Sequence, residues 1–318
     1  MVSHSIAMLE ILLFLLLIGK SSETSSMEHV RKLLPVLTTS LRKGSCGKIA
    51  VIGGSVEYTG APYFAAISAL KLGADLVYVM CAPEAAPVIK SFSPELIVYP
   101  GLDPDAVLPK LERVDAIVLG PGLGRSPHVA PLFDKVVDFV INKNLPMVMD
   151  ADGLWFLNES ISKGIKPLPS AILTPNMVEF SRLCESALGE KDVLKIKDQS
   201  KLEDLASRLS TRLGTSLFVK GKVDIITNPD GKVTVGQDEG SPRRCGGQGD
   251  VSSGTLAMFL LWATRQSSAE EAKNAAGLAC SELVRRLAKT TYGKMGRSMI
   301  TTDMINELPA LLREVDGK

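Results

Sequence analysis

The sequence is poor in histidine. Only His4, His29 and His128 occur, and two of them lie near the N-terminus. His128 alone stands in the body of the chain, beside Pro127 in what reads as a helix start. A Ser-His-Asp hydrolase and a His-ligated metal centre are therefore disfavoured. Aromatic residues make up 5% of the chain, too few for a base-stacking surface. Neither sign of charge is in excess: the net charge is +1. That balance leaves no electrostatic footprint for nucleic acid or for a membrane surface. The five cysteines, at 46, 81, 184, 245 and 280, are odd in number and form no C-x-x-C. They read as reduced thiols, with no zinc motif among them. The P-loop pattern G-x-x-x-x-G-K-[ST] is missing too. No apolar run is long enough to span a bilayer; the longest unbroken one near the start, Ile11 to Ile18, has signal-peptide character without a basic n-region. Residues 1–26 are set apart as a leader. A secretory-type signal, an organelle-targeting segment, a disordered leader and a start of translation at Met27 all remain open.

From Met27 onward, 27–318 reads as one domain, because no repeat, low-complexity block or linker interrupts it. Apolar strands are expected at 48–52, 76–80, 96–99, 116–119, 147–149, 171–173 and 217–219. Helices are expected at 61–72, 129–141, 202–213, about 250–265, 269–289 and 303–313. A hairpin joins 225–227 to 233–235 through Pro229-Asp230-Gly231. Alternation of this kind predicts an α/β fold, with a mostly parallel central sheet flanked by helices on both faces. Ligands in such folds sit beyond the carboxyl ends of the strands. The glycine-rich and polar segments 53–60, 120–125, 150–153, 174–179, 220–224 and 246–250 all fall there.

The most informative segment runs from Gly240 to Gly254. Gly246, Gly247 and Gly249 precede Asp250 and an apolar helix. Free N–H groups and a positive dipole end make such a place an anion site, which glycines let a phosphate approach. Asp250 then reads either as a base or metal partner in phosphoryl transfer, or as a plain N-cap. Gly120-Pro-Gly-Leu-Gly has the wrong spacing for a dinucleotide fingerprint. Asp150 and Asp152 alternate, so one would face the site and the other cap a helix. Asn176 and Glu179 share a face at a helix start, where Glu179 reads as a group facing a substrate hydroxyl or a Mg²⁺-bound water, or as a capping carboxylate. Lys220 and Lys222 read as a phosphate clamp or as a solvated turn.

These residues carry a resemblance over nearly all of 30–313. Gly47-Lys-Ile-Ala-Val-Ile-Gly-Gly-Ser, Tyr58-Thr-Gly-Ala-Pro-Tyr, Gly73-Ala-Asp-Leu-Val, Ser93-Pro-Glu-Leu-Ile and Gly120-Pro-Gly-Leu-Gly-Arg occur in order. Asp150-Ala-Asp-Gly-Leu-Trp, Leu173-Thr-Pro-Asn-x-x-Glu-Phe and Arg244-Cys-Gly-Gly-Gln-Gly-Asp follow. The ordered set is similar to the ATP-dependent NAD(P)H-hydrate dehydratase family, and 243–249 resembles its eukaryotic branch. The resemblance implies a three-layer ribokinase-like fold. It also implies ATP-dependent dehydration of (6S)-NADHX and (6S)-NADPHX to NADH and NADPH, a metabolite repair.

By the same resemblance Asp250 contacts the hydrated dinucleotide and takes the proton of its hydroxyl. Gly122 and the run Asn176, Met177, Val178, Glu179, Phe180, Ser181 and Arg182 contact it as well. ATP is lined by Lys220, Gly221, Lys222, Val223 and Asp224, together with Gly240, Ser241, Pro242, Arg243, Arg244, Cys245, Gly246, Gly247, Gln248 and Gly249. Mg²⁺ is implied as the triphosphate's counter-ion, with no protein metal ligand assigned. A separate NAD(P)HX epimerase is the implied partner and a homo-oligomer the implied assembly; the reduced-looking cysteines and the nucleotide chemistry favour an intracellular product, cytoplasmic or mitochondrial. Val251-Ser252-Ser253 departs from the family's more apolar pattern, and a serine at 252 is expected to hydrogen-bond its own backbone. A small-molecule kinase of the same fold and a non-catalytic nucleotide-binding protein stay open as alternatives.

Overall fold

The structure, a computed structural model, describes residues 27–164 and 166–317. The leader expected at 1–26 lies outside the described residues. The body begins at once: Met27 is buried, and helix α1 (Glu28–Leu33) packs beside the long C-terminal helices.

Nine strands form one sheet, β1 (Lys48–Ile52), β2 (Leu76–Cys81), β3 (Ile97–Pro100), β4 (Ala116–Leu119), β5 (Met147–Met149), β6 (Ala171–Leu173), β7 (Ser216–Val219), β8 (Ile225–Thr227) and β9 (Val233–Val235). Their spatial order is β3-β2-β1-β4-β5-β6-β7-β8-β9. Pairing is parallel from β3 to β7, with Ile52 level with Met80 and Leu119. The last two strands run antiparallel as the expected hairpin, Ile225 opposite Val235 and Thr227 opposite Val233. The central strands are buried on both faces, which is why they read as continuous apolar runs.

One face of the sheet is covered by α2 (Gly60–Leu72), α3 (Ala86–Phe92), α9 (Gln248–Thr264), α10 (Ala269–Met295) and α11 (Thr301–Asp316). The other carries α4 (Pro104–Leu111), α5 (Ala130–Lys143), α6 (Asp152–Ile161), α7 (Met177–Leu188) and α8 (Gln199–Leu213). The result is the three-layer α/β architecture. No described helix is long and apolar enough to cross a membrane.

Helix α9 is buried on every side from Val251 to Ala263. It lies in the core between the sheet and its neighbours, so no polar face is needed. Gly254 makes this possible. A β-carbon there would strike the carbonyl of Ala65 in α2, whose carbon is 2.8 Å away. Backbone cannot swing aside as a side chain does, so Gly254→Ala is expected to cost about 1–3 kcal/mol. A thermal melt should register that as a fall of several degrees; an unchanged midpoint would mean that α2 and α9 part freely.

Helix α10 outruns its expected end near 289 and reaches Met295. Thr291 sustains the extra turn, being fully buried with its hydroxyl donating to the Leu287 carbonyl at 2.7 Å. The short helices α1, α3, α4 and α6 were not expected. Prolines near the starts of α3 and α4 mask their periodicity.

Candidate active site

The six strand-tip segments meet. Gly54 donates its N–H to the Gly122 carbonyl at 3.0 Å, joining the β1 and β4 tips. Gly120 packs against the β5 tip so closely that a β-carbon would meet Gly153 Cα at 2.9 Å. The Lys220 N–H donates to the Pro175 carbonyl at 2.8 Å, joining β7 to β6. Lys220 Nζ donates to Asp150 Oδ1 at 2.7 Å, crossing to β5. A β-carbon on Gly249 would stand 3.3 Å from the same ammonium, so the glycine admits Lys220 to the start of α9.

That helix start has the geometry of an anion site. Gly247 is its N-cap at φ 95, pressed against Phe64 and Thr301 where no side chain fits. Gly246 faces open space. Asp250 therefore is not the N-cap. It stands in the first turn, half-buried, and its carboxylate accepts no hydrogen bond from the described residues. Burial pushes its acid strength down most, and the nearby Asp150 carboxylate adds to this. The Lys220 ammonium opposes both, and the Asp250 pKa comes to about 8 against an ordinary 3.8. Glu179 is also raised, by burial first, with Lys220 opposing. Lys220 itself loses by burial, yet Asp150, Glu179 and Asp250 together hold its ammonium above the usual lysine value. One cation thus sits among three carboxylates contributed by three different tips.

The two aspartates of the β5 tip diverge as alternation predicts, but the expected helix cap is not made: Ala151 is the N-cap of α6 and no side chain bonds its first turn. Asp150 is buried against Lys220. Asp152 opens α6, accepting from the Gly124 N–H and from Arg125 Nε, each at 2.9 Å. Between them Ala151 is held at φ 48 and ψ −117, a conformation normally left to glycine. Gly153 N–H closes the turn on the Asp150 carbonyl at 2.9 Å. Strain of this kind, about 1–3 kcal/mol, persists where the surroundings over-determine it, and it clusters at functional sites.

A cavity of about 620 Å³ opens between the 220–224 turn, the 240–249 loop and α10. Lys220, Gly221, Lys222, Asp224, Gly240, Ser241, Arg244, Cys245, Gln248 and Gly249 line it, whereas Val223, Pro242, Arg243, Gly246 and Gly247 lie outside its wall. Asn176 and Met177, expected at the substrate, border this same cavity. Asn176 also caps α7, its Oδ1 accepting from Val178 and Glu179, while Glu179 Oε2 accepts from the Asn176 N–H at 2.8 Å. The capping reading of Glu179 therefore holds. Val178 and Arg182 are exposed and Ser181 half-buried, but Phe180 is fully buried in the core beneath the helix. Gly122 sits at φ 60 against Tyr58. Ser252 behaves as expected, its hydroxyl donating to the Gln248 carbonyl at 3.0 Å.

Asp224 is committed to the cavity wall. It accepts from Arg285 Nε at 2.6 Å, from Arg285 Nη2 at 2.7 Å and from Ser281 at 2.7 Å. Arg285 also donates to the carbonyls of Gly221, Lys222 and Asp238. Sequence reasoning missed this arginine, because it sits on α10 without a motif and reaches its partner across 61 residues. Lysine cannot reproduce its fork. Each lost hydrogen bond costs about 1 kcal/mol. Arg285→Lys is therefore expected to raise KM for the nucleotide about tenfold with kcat little changed, as steady-state titration of the nucleotide would read. Among the described residues no group of three or more His, Cys, Asp or Glu could hold a metal.

A mostly parallel sheet between two helical layers, with Lys220 and the start of α9 at a cavity of about 620 Å³ beyond the strand tips, defines the class of ribokinase-like folds. A ribokinase-like superfamily protein from Enterococcus faecalis superimposes with a TM-score of 0.76 at 18% identity, over 91% of this chain and 95% of that one. So does the ADP/ATP-dependent NAD(P)H-hydrate dehydratase of Bacillus subtilis, co-crystallised with ATP/Mg²⁺, with a TM-score of 0.73 at 24% identity over 91% and 97%. At those identities the likeness speaks to the fold. The family model described as NAD(P)H-hydrate dehydratase matches residues 49–310, and the chain belongs to that family. Its relatives include the ATP-dependent (S)-NAD(P)H-hydrate dehydratase of Caenorhabditis briggsae, 52% identical over 92% of this chain and 96% of the relative.

Proposed function

We propose that residues 27–318 form one catalytic domain that dehydrates (6S)-NADHX and (6S)-NADPHX to NADH and NADPH with ATP. The observation that carries this reading is Asp250, in the first turn of α9 with no hydrogen bond to its carboxylate from the described residues, within the field of Lys220 and next in the chain to Gly249 of the cavity wall. Family membership supports the choice of substrate over other alcohols.

Hydroxide is a poor leaving group, so the ring hydroxyl is first phosphorylated. Asp250 accepts the hydroxyl proton as its oxygen attacks the γ-phosphorus of ATP, and ADP leaves. The ring-nitrogen lone pair then expels phosphate. Loss of a proton from the adjacent ring carbon restores the double bond of the dihydronicotinamide. The α9 amides and Lys220 stabilise charge on the transferring group, where one lost donor costs on the order of 3 kcal/mol. Mg²⁺, which neutralises the triphosphate, would enter with the nucleotide; the hard oxygens of Asp250 and Glu179 are those suited to its bound waters. Gly122, the exposed part of 176–182 and Asp250 receive the dinucleotide. A separate epimerase supplies the S isomer, the assembly is a homo-oligomer, and the five free thiols suit a reducing compartment, cytoplasmic or mitochondrial.

The test is absorbance in the reduced-nicotinamide band, with purified protein, (6S)-NADHX, Mg²⁺ and ATP. An ATP-dependent rise with stoichiometric release of phosphate is expected. Accumulation of a stable phosphorylated alcohol without that rise would instead identify a kinase.

A further inference from the structure

At the start of α6 and α7 lies a hollow of about 20 Å³ that the nucleotide cavity does not reach. Arg125, Trp155, Asn158, Glu179 and Arg182 are among its walls. Arg125 is half-exposed yet held in place: Nε is fixed on Asp152, and the guanidinium lies 5.6 Å from the centre of the Trp155 ring. Its two terminal nitrogens make no hydrogen bond within the described residues. Arg182 reaches the same hollow, in electrostatic contact with Glu179 but with neither a hydrogen bond nor a close ion pair among the described residues. Asn158 Oδ1 is buried and has no partner among them.

We propose that this hollow is a subsite for a phosphate group of the dinucleotide substrate, read by Arg125 and Arg182. The proposal rests on the substrate reading above. Guanidinium forks match phosphate oxygens, and stacking on a ring pre-organises one. The hollow holds no more than a water, so the phosphate sits on its rim. Beneath it the buried Asn158 carbonyl is free to accept from that water. Two acidic neighbours share the site. Asp152 is paired with Arg125 and accepts from Gly124, while Glu179 accepts from the Asn176 N–H, interacts electrostatically with Arg182 and is disfavoured as an anion by its burial. Placement fits as well. Glu179 faces both this hollow and the carboxylate cluster around Lys220, and Asp152 ties Arg125 to the Gly122 loop. A substrate with its hydrated ring at Asp250 would run past Glu179 and end here. Two phosphate sources share this chemistry: the bridging diphosphate of either substrate, and the 2′-phosphate of NADPHX alone.

The experiment compares the parent with Arg182→Met and Arg125→Lys, at saturating ATP, on NADHX and NADPHX separately. Arg182 makes no contact whose loss would unfold the chain, so it serves as the clean variant. A rise of about tenfold in KM for the dinucleotide, with kcat within about twofold, is expected. A rise for both substrates names the diphosphate, and a rise for NADPHX alone names the 2′-phosphate. Unchanged KM in Arg182→Met for both substrates, or a fall in kcat without a change in KM, overturns the subsite. Quenching of Trp155 fluorescence by NADP⁺ and NAD⁺ provides a readout independent of turnover, since the other tryptophan, Trp262, is buried. Quenching that weakens in Arg182→Met supports the subsite even if the parent fails to dehydrate NADHX, a failure that would strike only the substrate reading.

Discussion

Asp250→Ala is expected to dehydrate NADHX on the order of a thousandfold more slowly than the parent, with ATP still bound. A positioned general base contributes about 10²–10⁴. The loss should fall on kcat, because the carboxylate accepts no hydrogen bond from the described residues and none is broken by removing it. Its pKa of about 8 adds a pH signature. The base works ionised, so kcat/KM for the dinucleotide is expected to rise through about pH 8. Asp150→Asn removes the second cause of the shift and should move that limb to lower pH. Stability runs the other way. The folded pKa lies above the unfolded value of about 3.8, so the fold favours protonated Asp250. That contribution is complete below about pH 4 and is lost as pH rises through 8. Asp250→Ala should therefore melt above the parent at pH 9 and level with it at pH 4. A variant of parental activity would keep the fold and remove Asp250 as the base.

Much of this site is legible in the sequence, because strand tips are marked by residues that serve nothing else there. The apolar runs 48–52 and 116–119 end in glycines, and in the structure those glycines let backbones touch. The glycine loop before Asp250 is equally plain, since glycine is the residue that readily adopts the backbone found at Gly247. What cannot be read is pairing across distance. Lys220 and Asp150 are 70 residues apart, and neither carries a mark of the other. Arg285 lies on a helix whose spacing says only that one face is buried. Ala151 hides a glycine-like turn behind an ordinary residue type. The acidity of Asp250 depends on charges from three tips, a property of the assembled site that no single segment contains.

Lys220→Met shows how stability and chemistry share one pair. Its ammonium lies 2.7 Å from Asp150, with side-chain exposures of 19% and 3%. Methionine fills the space but leaves Asp150 buried and alone. Breaking a buried pair from one side costs about 3–5 kcal/mol. The melting temperature should fall by roughly 5–7 °C for a chain of this size. Activity should fall further than stability explains. The same cation restrains the upward shift of Asp250, so its loss moves the rising limb of kcat/KM to higher pH still. It also removes a charge beside the α9 amides, raising KM for ATP. Lys220→Met with Asp150→Leu separates these effects. An apolar pair of similar volume restores most of the stability, since charges are no longer buried unpaired. It returns neither the phosphate clamp nor the full rate. A double variant as active as the parent would mean that the pair serves only to close the core. A single variant as stable as the parent would mean that water reaches Asp150 once the lysine is gone.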